Sequence, residues 1–468
     1  MVTRTSNQLA VQKIDIDLTT TEVFSFFSDK PWAVLLDSAD ANHSDANYDI
    51  ITFDPIATLC TDDQTTTFTP FNFSRCSTPI KTNSTDQPFT LLKQYLNALF
   101  PEQKKTSLPF SGGVIGAFSY DLGRRIEKIA SVAHRDIHLP EMNVGFYDWA
   151  LIYSYDERCW FLTHSQGEAA LTCTLEQLLT TLNVQPKHSD TFKLSSPWNT
   201  QISNTQYTAK FNIIQDYLHS GDCYQINLTQ RFCANYSGCE WGAYLNLRTE
   251  NKAPFSAFMK LEHHSILSIS PERFIQLDGR SIQTKPIKGT LPRSKVQALD
   301  LQAAKTLQSS IKDRAENLMI TDLLRNDLGK VAQAGTVKVP KLFDIESFPA
   351  VHHLVSTVTA CLKPELDATD LLLATFPGGS ITGAPKIRAM QIIEELEPSR
   401  RSIYCGSIGY ISQDGKMDSS ITIRTLVTEA NKIYCWAGGG IVADSKAEAE
   451  YQESFDKVSR ILPILQEC

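Results

Sequence analysis

Two Asp-Gly pairs constrain the fold of this chain more than any other feature of its sequence. Each pair lies between short apolar runs, and Asp-Gly is the strongest short-range signal for a β-hairpin, because its tight turn needs positive φ angles. A hairpin joins antiparallel strands, so regular alternation of parallel strands and helices is excluded here. The predicted hairpins are Leu267–Leu277 with Ser281–Ile287 around Asp278-Gly279, and Tyr404–Ser412 with Ser419–Thr428 around Asp414-Gly415.

Helical patterns are interspersed with these hairpins. Apolar residues recur at helical spacing in several stretches, and Gly221 follows the first of them as a helix stop. Hairpins mixed with helices predict an α+β fold with antiparallel sheets. The predicted helices are Tyr207–Ser220, Lys312–Asp327, Asp367–Thr375, Ile387–Leu396 and Ala447–Leu465.

The chain has 468 residues, which at about 150 residues per domain suggests three domains or two large ones. A polar stretch from Gln185 to Thr205, with Pro186 and Pro197, is the best candidate boundary. We therefore expect an N-terminal unit over residues 1–190 and a C-terminal unit over residues 200–468.

Composition excludes several classes of partner. Lys and Arg number 44 against 52 Asp and Glu, a formal charge of -8, so there is no broad basic surface for nucleic acid. No apolar run approaches the ~18 residues that span a bilayer. The eleven cysteines include no C-x-x-C pair, which favours reduced thiols. We expect a cytoplasmic protein with no nucleic-acid or membrane partner.

Two pairs of carboxylates lie three residues apart on predicted helices. Asp313 and Glu316 share one side of a helix that is apolar nearly all round and is therefore expected to be buried. Glu450 and Glu453 lie opposite the apolar stripe of the last helix, near Lys457. Each pair alone is more typical of ordinary ion pairing. Together they suggest a set of oxygen ligands of the kind that Mg²⁺ prefers.

Two glycine-rich segments, Phe376–Lys386 and Trp436–Ile441, match neither a P-loop nor a dinucleotide fingerprint. Backbone amides exposed by such loops can bind a carboxylate, although tight turns explain them equally well.

The ends of the two hairpins combine acids and bases. In the second hairpin, Tyr404 and Arg424 fall within one residue of being opposite, which suggests a carboxylate clamp or a structural stack. In the first, the same counting places Glu272 opposite Lys285, with Lys288 three residues further on.

Lys288 is the candidate nucleophile in this region. Its neighbours Lys285 and Arg293 would disfavour its protonated form and expose a reactive amine. A surface lysine is the simpler interpretation of the spacing alone.

Taken together, these segments resemble the chorismate-utilising enzymes, and within them the aminodeoxychorismate synthases. The resemblance covers nearly all of the C-terminal half and implies mixed, largely antiparallel sheets packed as a β-sandwich with helices on the outer faces. The N-terminal half matches through Leu35–Ser38 and Gly112–Gly116. The C-terminal matches are Gly221–Leu228, Ser270–Phe274, Pro286–Thr290, Lys312–Val331, Val351–Ser356, Phe376–Met390 and Trp436–Lys457.

The resemblance implies a role for each candidate residue. Glu316 and Glu453 would bind Mg²⁺, with Asp313 and Glu450 as direct or water-mediated ligands, and the metal would hold the ring carboxylate of chorismate. His353 would lie near the reacting ring. The implied substrate-binding residues are Tyr404, Arg424, Gly383, Gly439, Gly440, Lys457 and Thr290.

Lys288 separates the subfamilies, since the resembling anthranilate synthases carry Ala at this position. The resemblance implies that Lys288 attacks C2 of chorismate with loss of the C4 hydroxyl, and that ammonia then adds at C4 and expels the lysine. Glu272 would protonate the departing hydroxyl, which requires a carboxyl held near neutral by burial.

The resemblance also implies partners. No Gly-x-Cys-x-Gly nucleophile turn is present, so ammonia would come from a separate glutamine amidotransferase subunit in a heterodimer. The tryptophan pocket of related enzymes corresponds to Ser38, Pro254, Phe255 and Ser256. Asp37 stands where tryptophan-regulated relatives usually carry Glu, so a tightly held structural tryptophan is the form of binding that we consider.

Two alternatives remain open. The nearest is the large subunit of an anthranilate synthase. The other is a catalytically inactive paralogue that serves as a binding module, which the presence of all the candidate residues argues against.

Overall fold

The computed structural model describes residues 9–71, 82–184, 191–348 and 351–467. Strands and helices are numbered along the chain. The strands are β1 (Ala10–Ile14), β2 (Ala33–Asp37), β3 (Tyr48–Thr52), β4 (Ala57–Asp62), β5 (Thr65–Pro70), β6 (Thr82–Ser84), β7 (Gly113–Phe118), β8 (Met142–Tyr147), β9 (Trp149–Ser154), β10 (Cys159–His164), β11 (Phe192–Leu194), β12 (Asn199–Thr200), β13 (Gln225–Gly238), β14 (Phe255–Lys260), β15 (His264–Ser270), β16 (Arg273–Asp278), β17 (Ser281–Thr284), β18 (Ile287–Pro292), β19 (Lys338–Ser347), β20 (Val351–Cys361), β21 (Gly383–Ala384), β22 (Ser407–Ser412), β23 (Met417–Ile421), β24 (Thr425–Glu429) and β25 (Lys432–Ile441). The helices are α1 (Thr20–Ser25), α2 (Pro88–Leu99), α3 (Glu168–Leu182), α4 (Asn204–His219), α5 (Glu240–Asn251), α6 (Gln297–Ser309), α7 (Ile311–Gly329), α8 (Ala368–Thr375), α9 (Lys386–Leu396), α10 (Ala447–Asp456) and α11 (Leu462–Gln466).

The strands form two large antiparallel sheets. The first has the order β1-β10-β9-β3-β2-β14-β15-β24-β25-β13-β11, with β12 and β21 also paired to β13. The second has the order β18-β20-β17-β16-β23-β22-β7-β8-β4-β5-β6, with β19 also paired to β20. The predicted α+β class with antiparallel sheets is confirmed.

The two sheets pack face to face around one shared core. Val34 and Met259 of the first sheet belong to the same buried apolar cluster as Val144 and Ile275 of the second. Helices α3 and α5 lie on the first sheet, and α6 and α7 lie on the second. The expected sandwich with outer helices is therefore present, and burial of its inner faces is the main stabilising contribution.

Both sheets run without a break from the N-terminal half of the chain into the C-terminal half. In the first sheet β2 pairs with β14, with Leu35 opposite Phe258. In the second, β7 pairs with β22, with Ile115 opposite Tyr410. The division between residues 1–190 and 200–468 stays a prediction. Within it, residues 185–190 of the polar stretch lie outside the described residues.

A hairpin is confirmed at each Asp-Gly pair, with Gly279 and Gly415 at positive φ angles of 59° and 87°. The predicted strands Leu267–Leu277 and Ser419–Thr428 are too long, because each spans two strands that lie in different sheets, β15 with β16 and β23 with β24. The predicted pairing of Glu272 with Lys285 is wrong. Leu277 lies opposite Ile282, and this register, continued along the strands, places Ile287 opposite Glu272. Strand β15 ends at Ser270 and β16 begins at Arg273, with Pro271 between them, because proline cannot donate to a strand ladder.

Two helix predictions need correction. Helix α7 is not buried all round: Ile320 and Leu324 are buried, but Ile311 and Leu318 are 87% and 51% exposed, because the helix packs on the sheet by one side only. The last helix is interrupted between Asp456 and Leu462. Pro463 starts the second piece in its first turn, where the missing N–H is tolerated. No helix in the described ranges is long and apolar enough to cross a membrane.

Candidate active site

The candidate site lies where the first sheet opens. Strands β24 and β25 pair only from Leu426 opposite Cys435 to Glu429 opposite Lys432. Beyond Cys435, β25 continues to Ile441 against β13. Strands β24 and β25 therefore diverge beyond Leu426 and Cys435. The region between Arg424, which precedes β24, and the Trp436–Ile441 part of β25 is called the fork below.

Lys288 and Glu272 are neighbours beside the fork. The Lys288 Nζ donates to the Ser380 carbonyl oxygen at 3.0 Å. Burial lowers the pKa of Lys288, which the nearby carboxylates of Glu316 and Glu272 oppose. Glu272 is only 5% exposed, and burial raises its pKa to about 6 although the Lys288 charge pulls it down. The predicted near-neutral carboxyl therefore lies beside an amine that is easier to deprotonate than usual.

The reason predicted for the shift of the Lys288 pKa is wrong, although the direction is right. Lys285 is held by Asp45 at 2.8 Å, and Arg293 donates to Asp300 at 2.8 Å. Neither is a cause of the lowered pKa of Lys288; burial is the first cause, and Lys457 is the cation that contributes.

The four predicted carboxylates converge on the same region. A Cβ added at Gly439 would lie 3.1 Å from both Glu450 Oε2 and Glu453 Oε1, and one at Gly289 would lie 2.9 Å from Asp313 Oδ1. The pKa of Glu316 is raised by burial, and Asp313 and Glu450 add to that rise. Glycine at 439 and 289 thus leaves room for carboxylates that any side chain would displace.

Glu450 and Glu453 differ in how they are satisfied. Ser445 donates to Glu450 Oε1 at 2.7 Å, while Glu450 Oε2 is buried with no hydrogen-bond partner in the described part of the chain. Lys457 ion-pairs with Glu453 at 2.7 Å and donates to the Gly438 carbonyl at 2.8 Å. One carboxylate oxygen is therefore available to a ligand from outside the chain.

The glycine-rich segments do not both form loops. Gly439 and Gly440 lie within β25, opposite Leu228 and Asn227 of β13, so the loop interpretation is wrong for them. Gly383 lies in the short strand β21, opposite Ile226. At Gly440 an added Cβ would lie 2.0 Å from Gln225 Nε2. These glycines let buried polar side chains approach the strand backbone.

Arg424 and His353 bring unpaired polar groups to the fork. In the described ranges no acid pairs with the half-buried Arg424 side chain; burial and the Arg460 charge lower its pKa. Burial, together with the Arg424 charge, lowers the pKa of His353 to about 3, so the ring is neutral. Its Nδ1 is 2.8 Å from Thr290 Oγ1, and its Nε2 is buried without a partner among the residues described.

Tyr404 has other neighbours than predicted. Its ring stacks on Trp436, with centroids 6.0 Å apart, and its hydroxyl lies by Cys405, near the buried pair of Arg401 and Glu397. Neither Tyr404 nor Arg424 perturbs the pKa of the other. The carboxylate clamp from these two residues stays a prediction.

The residues of the predicted tryptophan pocket line one cavity. It measures about 330 Å³ and lies between the two sheets. Asp37 and Arg273 also line it, from the N-terminal and C-terminal halves respectively. The predicted set, Ser38, Pro254, Phe255 and Ser256, is complete in this lining.

Two residues that the sequence did not single out lie at the site. Ser380 contacts Lys288 and Glu272, and Gln225 is fully buried with an unpartnered Oε1, as far as the described residues go. Both lie in segments that carried the resemblance. Ser380 follows two glycines in a loop, a position from which a backbone carbonyl can face a site.

Comparisons with known proteins show the family of the chain. The family model described as chorismate binding enzyme matches residues 34–463. The chain is 53% identical over 444 residues to aminodeoxychorismate synthase component 1 of Escherichia coli, covering 95% of each chain. It is also 53% identical to that of Salmonella typhimurium, covering 93% of each.

A solved structure shares the architecture. Anthranilate synthase component I from Streptococcus pneumoniae superposes with a TM-score of 0.80 at 31% identity, covering 89% of this chain and 92% of that one. Because the family model matches most of its length and the fold is shared with a solved anthranilate synthase component I, the chain belongs to the family of chorismate binding enzymes.

Proposed function

We propose that this chain is the large subunit of an aminodeoxychorismate synthase, which aminates chorismate at C4 to 4-amino-4-deoxychorismate. The observation that carries the proposal is the buried pair of Lys288, with a lowered pKa, and Glu272, with a pKa of about 6. An amine that nucleophilic catalysis could use lies beside a carboxyl that can both give and accept a proton near neutral pH. The 53% identity to enzymes of that name supports it.

The first half of the reaction uses both groups. The neutral Lys288 amine attacks C2 of chorismate, the ring double bond shifts, and the C4 hydroxyl leaves as water with a proton from Glu272. The proton released by the lysine nitrogen returns to the Glu272 carboxylate. The shared proton makes the two groups one titrating pair.

The second half reverses the attack. Ammonia adds at C4, the double bond shifts back, and the C2–N bond to Lys288 breaks. Glu272, which holds the proton released in the first half, gives it to the departing lysine nitrogen and then accepts the proton that the new amine loses. Two successive displacements put the amino group where the hydroxyl was.

Mg²⁺ fits the chemistry of the carboxylates near Gly439. Glu450 Oε2 is buried and unpaired in the described chain, and Glu453 lies beside it. In the described ranges no three His, Cys, Asp or Glu side chains enclose a metal ion by themselves; Mg²⁺ commonly uses one or two carboxylates plus water and substrate oxygens. Glu316 and Glu453 would hold it, with Asp313 and Glu450 beside them. When bound, Mg²⁺ would supply positive charge to the ring carboxylate of chorismate.

The remaining polar groups would bind the rest of the substrate. Arg424, which lacks an acidic partner in the described chain, would bind the enolpyruvyl carboxylate, with Tyr404 behind it. Lys457 and the backbone at Gly383, Gly439 and Gly440 would support the ring carboxylate. Thr290 would orient His353 through its 2.8 Å contact, leaving Nε2 toward the ring.

The proposal includes partners and a setting. Ammonia would come from a glutamine amidotransferase subunit in a heterodimer. The relatives carry the name component 1, which supports the existence of a second component. The product would serve 4-aminobenzoate and folate synthesis in the cytoplasm. The cavity of about 330 Å³ would hold a tryptophan as a structural ligand.

Product identification tests the proposal against its alternative. The protein is incubated with chorismate, Mg²⁺ and ammonium at alkaline pH, and products are identified by mass spectrometry and fluorescence. We expect aminodeoxychorismate, which becomes 4-aminobenzoate only when a lyase is added. A fluorescent anthranilate product without a lyase would instead establish an anthranilate synthase, and no product would favour the inactive paralogue.

A further inference from the structure

The connection between β2 and β3 places one residue of the N-terminal half against the strands of the candidate site. His43 of this connection contacts Glu346 of β19, with its Nε2 3.1 Å from the Oε2 of the carboxyl group. Glu346 lies directly opposite His353 in the pairing of β19 with β20. The His43 side chain is only 8% exposed. A residue from the other half of the chain is therefore buried beside the strand position of His353.

Two aromatic contacts connect His43 to His353. The His43 ring stacks on Phe348, with centroids 4.8 Å apart and an angle of 22° between the rings. The buried Phe348 in turn meets the His353 ring edge to face, with centroids 5.0 Å apart. Both arrangements are favourable geometries for aromatic pairs. The three side chains form a continuous row of rings, in which each ring limits the movement of the next.

Hydrogen bonds fix the orientation of the His43 ring. The Asp45 backbone N–H donates to His43 Nδ1 at 3.1 Å, so Nδ1 is the acceptor and Nε2 carries the hydrogen that is donated to Glu346. Lys285 holds both acids, with its Nζ 3.3 Å from Glu346 Oε1 and 2.8 Å from Asp45 Oδ2. Because both ring nitrogens are engaged, His43 cannot turn away from Phe348 without breaking these bonds.

His353 needs such support from the side of its ring. Its Nδ1 is 2.8 Å from Thr290 Oγ1, but a hydrogen bond at one nitrogen leaves rotation about the axis of that bond open. The second torsion of a histidine side chain is broad by itself, so packing decides which way the ring plane faces. Phe348 supplies that packing.

We propose that His43 is a positioning residue for His353, which it holds through Phe348 in the orientation that presents Nε2 to the substrate ring. This inference rests on the proposed function, in which His353 Nε2 faces the ring of chorismate. Because His43 acts on the orientation of another side chain, its loss should lower turnover and leave substrate binding nearly unchanged. The N-terminal half thus contributes to the site through a residue that does not contact the substrate.

The test uses three variants. His43→Ala removes the ring and its hydrogen bonds, whereas His43→Phe keeps a ring on Phe348 and loses only the hydrogen bonds. His264→Ala is the matched control, since the His264 side chain is 9% exposed and lies 3.1 Å from Glu429. It removes an equally buried contact between a histidine and a carboxylate, at the end of β24 away from the fork.

Steady-state kinetics with chorismate, Mg²⁺ and ammonium give the first readout. We expect His43→Ala to lower kcat about tenfold and to change KM by less than about twofold, because misplacing a catalytic group slows the reaction without removing a binding contact. His43→Phe and His264→Ala should keep kcat within about twofold of the unchanged protein. An unchanged kcat in His43→Ala would overturn the proposal, and so would an equal loss in His43→Phe.

A double-mutant cycle separates positioning from a general structural role. In the background of His353→Ala, the further replacement His43→Ala should change kcat by less than about twofold, because no His353 ring is left to position. An undiminished tenfold loss in that background would overturn the proposal.

A further readout does not depend on the reaction. In protein labelled with carbon-13 histidine, the ring resonance of His353 is assigned as the one that is missing from His353→Gln. We expect this resonance to shift in His43→Ala, because Phe348 moves relative to it, and to stay in place in His264→Ala. Such a shift supports the role of His43 even if the product proves to be anthranilate, which would overturn the proposed function alone. An unchanged resonance in His43→Ala overturns the role of His43, whatever the product.

Discussion

The fork and the cavity between the sheets differ in whether their buried charges are paired within the chain. At the cavity, Asp37 accepts from Arg248 Nε at 2.6 Å and from the Tyr244 hydroxyl at 2.7 Å. Arg273 donates to Asp418 at 2.9 and 3.0 Å and to Asp45 at 2.9 Å. Every one of these charges is paired within the chain.

At the fork, several polar groups lack a partner in the described chain. Arg424 has no acid beside it, and Glu450 Oε2 and His353 Nε2 are buried and unpaired. Unpaired buried groups cost folding free energy, and a partner within the chain offsets much of that cost. The difference teaches that the cavity charges are satisfied within the chain, whereas the polar groups at the fork lower the stability of the fold as long as nothing pairs with them.

Replacement of Lys288 should give the largest effect. We expect Lys288→Ala to lower aminodeoxychorismate formation by about 10³-fold or to divert the product, because the nucleophile is lost. The free energy of unfolding should not fall, since a buried amine is removed. Product analysis and urea denaturation measure both; unchanged amination at C4 would remove the covalent step from the proposal.

Replacement of Arg248 should show the opposite pattern. Arg248→Met leaves Asp37 buried without its cation, and we expect a loss of about 3 kcal/mol in the free energy of unfolding. Arg325→Met is the control, since its ion pair with Asp322 is exposed and should contribute less than about 1 kcal/mol. Equal losses in urea denaturation would contradict the contrast between the two regions.

Removal of one carboxylate at the fork should weaken metal binding. We expect Glu453→Ala and Glu316→Ala to lower Mg²⁺ affinity by about 10-fold to 100-fold in calorimetric titration, because each removes a charged oxygen ligand. Glu448→Ala, on the exposed side of α10, should bind Mg²⁺ normally. A variant with a normal titration would lose its place in the ligand set.

The pH dependence of stability gives the smallest effect. The pKa of Glu272 is raised to about 6 in the fold from about 4.3 when unfolded, so the folded protein binds the extra proton between these values. Its stability relative to Glu272→Gln should therefore fall by about 2 kcal/mol as pH rises through this window. Denaturation at pH values on either side measures it, and a flat difference would show that Glu272 is not strained by burial.

The sequence predicted local structure well and long-range pairing less well. The Asp-Gly pairs located both hairpins, because glycine there adopts the positive φ angle that a tight turn needs. The partner of Glu272 was misassigned by two positions, because Asp278 pairs with Ser281 and the turn residues are Gly279 and Arg280, not Asp278 and Gly279. The amphipathic character of α7 could not be recognised from the sequence, because apolar residues such as Ile311 are exposed and periodicity assigns apolar residues to the buried side.

For the site, the resemblance supplied what spacing could not. Lys288 and Glu272 come together through a strand break and a neighbouring turn, and the cause of the lowered pKa of Lys288 lies in burial and in Lys457, 169 positions away in the sequence. Ser380 was missed because its contact with Lys288 depends on the direction of one backbone carbonyl. Such directions exist only after the sheets and helices have packed.

The continuity of both sheets across the two halves of the chain has a practical consequence. A cut between β11 and β12, in the polar connection near residue 196, would leave unpaired strand edges on both fragments, because it separates β2 from β14, β7 from β22 and β11 from β13. We therefore expect neither fragment to fold on its own, because each lacks the strands that complete its sheets. Produced together they should reassemble, whereas either one alone should aggregate through those edges.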